Sequence, residues 1–154
     1  DTIGMQKQFD FITAINFTIN NAHKSIKKIR AIDRQLLAFQ NQYKDDNRVA
    51  ELNKKAKQLS EEFSKIEKAL YQTQNKSGQD PLNFPIKLTN KLGHLNSLVG
   101  MGDFPPTEQD IAVKDELTLK INLELEKFNI LMSTKIKEFN TVFNSLNLNY
   151  LLVE

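Results

Sequence analysis

Cysteine is absent from the 154 residues, which excludes disulfide scaffolds, thiolate zinc sites and cysteine nucleophiles. Tryptophan is absent too, and proline (4) and glycine (5) are scarce. Turns are therefore few, and long regular elements are expected. No apolar run approaches the roughly 20 residues that a membrane-spanning helix needs. Neither sign of charge dominates: 21 basic against 19 acidic residues leave a formal charge of +2. That balance does not point to a nucleic-acid partner. The sequence starts at Asp1 with no initiator Met and no apolar leader, so the expectation is a processed product or a piece of something larger.

What is present is helical periodicity. The length suits one domain over 1–154 with a core of its own. Val49, Leu52, Ala56, Leu59, Phe63, Ile66, Leu70 and Thr73 recur at steps of three and four, with Lys, Glu, Gln, Ser and Asn between them. This is the narrow stripe of a long packed helix. Asp45, Asp46 and Asn47 ahead of it are N-cap candidates, and Ser77-Gly78 is expected to end it. A longer first helix runs from about Ile3 to Tyr43. Its stripe reads Met5, Phe9, Ile12, Ile15, Ile19, Ala22, Ile26, Ile29, Ile32, Leu36, Phe39 and Tyr43. The equal steps at Ile26, Ile29 and Ile32 rotate the stripe, which predicts a change of packing partner there.

Asn75 to Pro85 is a turn-rich connector, expected to be ordered with Leu82 and Phe84 as plugs on the bundle. Pro85 suits the first turn of a short helix, whose apolar face is Leu88, Leu92, Leu95 and Val99 and which Gly100-Met101-Gly102 stops. Thr107-Glu108-Gln109-Asp110 reads as a capping box opening a last helix that continues to Tyr150. Leu117, Leu119, Ile121, Leu123 and Leu125 alternate as a strand would. Helix is still the better reading, because the cap precedes it, the three-four pattern continues after it, and no other segment offers a lone strand a partner. The predicted fold is all-α: an antiparallel bundle of three long helices and one short helix.

Chemistry-bearing constellations are weak. A di-metal bundle needs Glu-x-x-His twice, but the residues three before His23 and His94 are Asn20 and Lys91. Asp45-Asp46, Glu61-Glu62 and Glu124/Glu126 are near neighbours that do not face one another on a helix, and they read as solvated faces. Gly100-Met101-Gly102 comes after a helix rather than a strand and lacks the P-loop lysine. No catalytic residue, cofactor site or metal ligand is predicted. Lys24, Lys27, Lys28, Arg30 and Arg34 make the first half basic: residues 1–77 carry +5 and residues 78–154 carry −3. The basic patch has no interleaved aromatics for stacking on bases. It is expected to complement the acidic half, within the bundle or in a neighbouring domain.

More specific wording appears at the middle connector. The stretch LYQTQNKSGQDPLNFPIKLTNKL, Leu70 to Leu92, and the loop Gly102-Asp103-Phe104-Pro105-Pro106-Thr107 before a long helix resemble part of a bacterial family. Its members are large sortilin-like, BNR-repeat β-propeller proteins, often labelled glycosyl hydrolases. They end in a helical region with a similar Gln-Asp-x-Leu-Asn-Tyr/Phe-Pro-x-Arg/Lys-Leu-x-Asn-Lys-Leu stretch. The match is tight over residues 70–107 and is one of pattern over the flanking helices. The resemblance implies a helical appendage at the end of an exported propeller protein, with the rest of that polypeptide as its partner. It transfers no catalytic residue, since the chain has neither tryptophan nor an Asp-box turn. The expected function is a non-catalytic interaction or structural domain. The alternatives are an accessory part of a hydrolase whose active site lies on the propeller, and a free-standing coiled-coil adaptor.

Surplus apolar residues mark the candidate interaction face. Phe11 and Phe17 lie off the stripe assigned to the first helix, and Leu119 and Leu123 lie off that of the last. A helix in a bundle buries one arc, so these four are expected at or near a second contact face. The propeller or a second copy of the chain would cover it.

Overall fold

The computed structural model describes residues 2–74 and 84–148, and every regular element among them is helical. Helix α1 spans Thr2–Gln42, a 3₁₀ turn covers Asn47–Val49, and α2 spans Ala50–Leu70. Helix α3 spans Leu88–Gly100, α4 Glu108–Ser133 and α5 Lys135–Ser145. The alternating leucines lie on α4. Leu117 and Ile121 are buried while Leu119 and Leu123 face outward, because residues two apart on a helix lie about 200° around it.

The five helices make three rods. Helix α1 is one unbroken rod of 41 residues. Helices α2 and α3 run antiparallel to it and share its length between them. Arg30 meets Glu67, Asp33 meets Ser60 and Tyr43 meets Asn53 along the α2 half. Asn16 meets Asn96, and Ile12 meets Gly100, along the α3 half. The third rod, α4 and α5, runs parallel to α1: Lys114 sits over Phe11 and Phe39 packs on Phe139. The partner of α1 changes from α3 to α2 between Ile19, against Gly93, and Arg30. That is where the rotation of the apolar stripe begins.

The core runs the full length of the seam. Ile15, Ala22 and Ile29 of α1, Leu52, Phe63 and Leu70 of α2, Leu92 of α3 and Ile121 of α4 are essentially sealed from solvent. Phe63 meets Phe128 across α2 and α4 with centroids 6.0 Å apart, within the range that tilted aromatic pairs favour. At the start of α1 the buried stripe is Phe11, Ile15, Thr18 and Ala22, while Met5 and Phe9 face solvent. This corrects the expected phase. A 3.6-residue period permits either set over two turns, and the positions of α3 and α4 choose between them.

Helix ends differ from the sequence reading where polar side chains bond the backbone: buried Gln72 and Thr89 after α2, exposed Ser133 and Thr134 after α4. Helix α2 stops at Leu70, well before Ser77-Gly78, which lie outside the described residues. Tyr71 is extended (φ −139°, ψ 141°). The Gln72 side chain, itself buried, donates to the Pro85 carbonyl at 2.7 Å and accepts from the Gln74 amide at 3.0 Å. Buried Thr89 donates to the Leu70 carbonyl at 2.9 Å. These bonds hold the end of α2 against the start of α3, and the bond from Thr89 satisfies a carbonyl that the α2 terminus leaves orphaned. Pro85 therefore precedes the helix, which begins at Leu88, and Phe84 is half-buried. Leu82 lies outside the described residues. The predicted single last helix is broken at Thr134 (φ −117°, ψ −75°). The hydroxyls of Ser133 and Thr134 both donate to the Ile130 carbonyl, at 3.2 and 2.7 Å, a back-bonding pattern that bends helices.

Two substitutions test this packing. Phe63→Ala removes a fully buried ring and is expected to cost about 3–5 kcal/mol, read from the urea midpoint. Thr89→Val keeps the shape but leaves the Leu70 carbonyl without its donor. It should cost about 1–3 kcal/mol, whereas the same change at the exposed Thr141 should fall within about 0.5 kcal/mol.

Candidate interaction surface

Of the four residues singled out as surplus, one is buried and three are exposed. Phe11 is a core residue, 5% exposed, beneath the Lys114 ammonium, which sits 5.6 Å from its ring centroid. It leaves the candidate face, because α4 packs over this side of α1. Phe17 (68% exposed), Leu119 (61%) and Leu123 (50%) are on the surface. Each comes two positions after a buried residue, so each sits on the outer side of its own helix.

A denser apolar surface lies at one end of the bundle. Ile3, Met5 and Phe9 project from the first turns of α1, and Leu98 from the last turn of α3. Met101 and Phe104 are 82% and 80% exposed on the loop between α3 and α4. Ile111 and Val113 open α4. Gln8 brings these pieces to one end: its side-chain amide donates to the carbonyls of Val99 (2.7 Å) and Gly102 (2.5 Å). It thereby closes the end of α3 and ties the loop to α1. Ile12 packs 3.8 Å from the position that a Cβ on Gly100 would occupy.

The far side of that loop is fixed by the capping box expected from the sequence. The Asp110 amide donates to the Thr107 hydroxyl at 3.2 Å, and the Thr107 amide and hydroxyl donate to the Asp110 carboxylate at 2.8 and 2.7 Å. With both ends held, Phe104 is exposed on an anchored loop. The sequence signal was available: two large apolar residues among Gly, Asp and Pro in GMGDFPP have no helical face to retreat to.

The basic patch lines a different surface. His23, Lys24, Lys27 and Arg30 of α1 border a cleft of about 450 Å³ with Tyr71. His23 meets the Tyr71 ring edge-on, centroids 6.2 Å apart. Arg30 pairs with Glu67 at 2.6 Å, a residue of the same basic half. Among the described residues no ion pair joins the two halves of the chain. This corrects the expectation that their opposite charges are matched within the bundle: apolar burial holds the rods together. Of the carboxylates expected to be solvated, Asp45, Glu61 and Glu126 are exposed, and Asp46, Glu62 and Glu124 are half-buried. Glu124 pairs with Lys127 one turn on, at 2.6 Å. Among the described residues no group of three or more His, Asp or Glu could hold a metal ion. No helix there is long and apolar enough to cross a membrane.

Compared with known proteins, the chain matches no family model, no curated protein and no solved structure.

The capping box makes a pH prediction. Hydrogen bonds from the Thr107 side chain, and then from its backbone, hold the Asp110 carboxyl below the ordinary carboxylate range. A group depressed on folding stabilises the fold above its unfolded pKa, and that contribution is lost as pH falls through the folded value. Asp110→Asn should therefore flatten the loss of stability on acidification. Urea midpoints measured from pH 7 down to pH 2 would show this as convergence of variant and wild type at the acid end.

Proposed function

We propose that this chain is a non-catalytic helical docking module, carried as an appendage by a larger β-propeller protein and seated on it through the apolar end of the bundle. The observation that supports this reading most directly is the convergence of Ile3, Met5, Phe9, Leu98, Met101 and Phe104 on one end. Large apolar side chains gathered on a surface mark contact sites. Three separate segments contribute to this one, and Gln8 and the capping box hold them in place. The reading also draws on the resemblance to sortilin-like BNR-repeat proteins. The stretch that carries it, residues 70–107, includes Met101 and Phe104. Export would follow from that parentage.

The test uses the polypeptide encoded by the gene from which this chain derives, with Met101→Ser and Phe104→Ser together. Both side chains are exposed, so the urea midpoint of the isolated chain should move by no more than about 0.5 kcal/mol equivalent per site. In the parent the bundle should come loose from its neighbour, read as new protease cleavage at the junction and a larger radius of gyration. Flanking sequence without a propeller, or glycosidase activity in the isolated chain, would overturn the reading.

A further inference from the structure

The basic flank of α1 carries more charge than the molecule neutralises. Residues 21–32 include Lys24, Lys27, Lys28 and Arg30 and no acidic residue. Among the described residues none of the three lysines enters an ion pair. Lys24 and Lys27 line the cleft of about 450 Å³ together with His23, Ile26, Arg30 and Tyr71, whereas Lys28 does not border it. Tyr71 enters the cleft as the first extended residue after α2. Arg30 has one partner. Its Nε donates to the carboxylate of half-buried Glu67 at 2.6 Å, and among the described residues no other group accepts from this guanidinium. Glu67 thus orients Arg30 and leaves the N–H donors of both Nη groups unused.

We propose that this cleft binds a phosphomonoester, its phosphate held by Lys24, Lys27 and Arg30 and its organic part resting on Ile26 and Tyr71. The three cations follow one another at steps of three. Side chains so spaced are neighbours on a helix, with Cβ atoms about 5–6 Å apart, and these long side chains can converge on one group. Lys24, Lys27 and Arg30 less Glu67 leave two positive charges at the cleft. A phosphomonoester carries about −1.5 to −2 at neutral pH, while a carboxylate or a sulfate ester carries a single charge. A guanidinium fork and lysine ammonium groups are the donors that phosphate oxygens favour. The cleft is larger than one phosphate fills. Ile26 and the ring of Tyr71, against which His23 packs edge-on, give the remaining space an apolar wall. Nucleic acid is the poorer fit: a phosphodiester carries one charge per group, and the flank has no run of aromatics on which bases could stack. The cleft lies apart from the apolar end of the bundle, so the inference does not depend on the docking reading.

The test titrates phenyl phosphate into the isotope-labelled chain at fixed ionic strength, followed by NMR. Saturable shifts are expected at the Ile26 methyls and at the amides of His23, Lys27 and Tyr71, with a Kd at or below about 1 mM, and none at Met101 or Ile136. Phenyl sulfate, the same ring with less charge, should bind about tenfold more weakly. Lys27→Gln should weaken phenyl phosphate about tenfold. Lys28→Gln removes the same charge one residue away, outside the cleft, and should leave the affinity within about twofold, because salt screens charges beyond contact. Both side chains are exposed, so neither change disturbs the core. A peptide with one phosphoserine among neutral residues separates the sources: tighter binding than phenyl phosphate assigns the ester to a protein partner, weaker binding to a small molecule. Absence of saturation, equal losses in the two variants, or phenyl sulfate bound as tightly as phenyl phosphate would overturn the proposal. So would tighter binding of polyglutamate or an oligonucleotide that both variants impair equally, since that would make the flank a surface for an extended polyanion.

Discussion

The structure depends on one continuous seam, the buried stripe along α1. A helix of 41 residues is about 60 Å long, and neither of the other rods matches it with a single helix. Each is assembled from two pieces, and both pieces are registered against α1. Ile15, Ala22, Ile26 and Ile29 supply the surface on which α2, α3 and α4 meet. Most helical stability comes from burying such a face. The 13-residue α3 and the 11-residue α5 are too short to persist alone.

The breaks in the two shorter rods are managed by polar side chains rather than by glycine. Between α2 and α3, Thr89 takes up the last carbonyl of α2 and Gln72 holds the Pro85 carbonyl of the incoming chain. Between α4 and α5, Ser133 and Thr134 compete for the Ile130 carbonyl and bend the rod. At the end of α3, Gln8 reaches from α1 to do the same for Val99 and Gly102. In each place polar side chains bond carbonyls where one helix gives way to the next segment. The first break keeps the second rod continuous along α1. The other moves α5 off α1 and opens an apolar groove lined by Ile32, Phe39, Ile136 and Phe143.

The surface is a consequence of this construction. One end gathers apolar residues from three segments whose positions are locked, which is the form expected of a docking surface. The other holds that groove. The basic flank of α1, expected to find its counter-charges in the acidic half, keeps Arg30 on Glu67 of its own half and lines an open cleft. Exposed ion pairs contribute little to stability, so the charge asymmetry belongs to the outside of the molecule.

The local features were legible in the residues. The stripe from Val49 to Leu70, the Asp46 cap ahead of α2 and the Thr107–Asp110 box each depend on residues within one or two turns of each other. Backbone geometry alone then dictates the outcome. The alternating leucines of α4 could be read correctly for the same reason, from the cap before them and the periodicity after. What the tertiary structure decided is which of two permitted stripes α1 buries, and hence that Phe11 is core while Phe9 is surface. It decided where α2 stops, because the hook on Pro85 and the bond to Leu70 come from residues 13 and 19 positions away. It also decided which exposed apolar residues share a surface. Helical periodicity states the angle between side chains on one rod. The phase of that rod, and the company its outer residues keep, are set by the neighbours against which it packs.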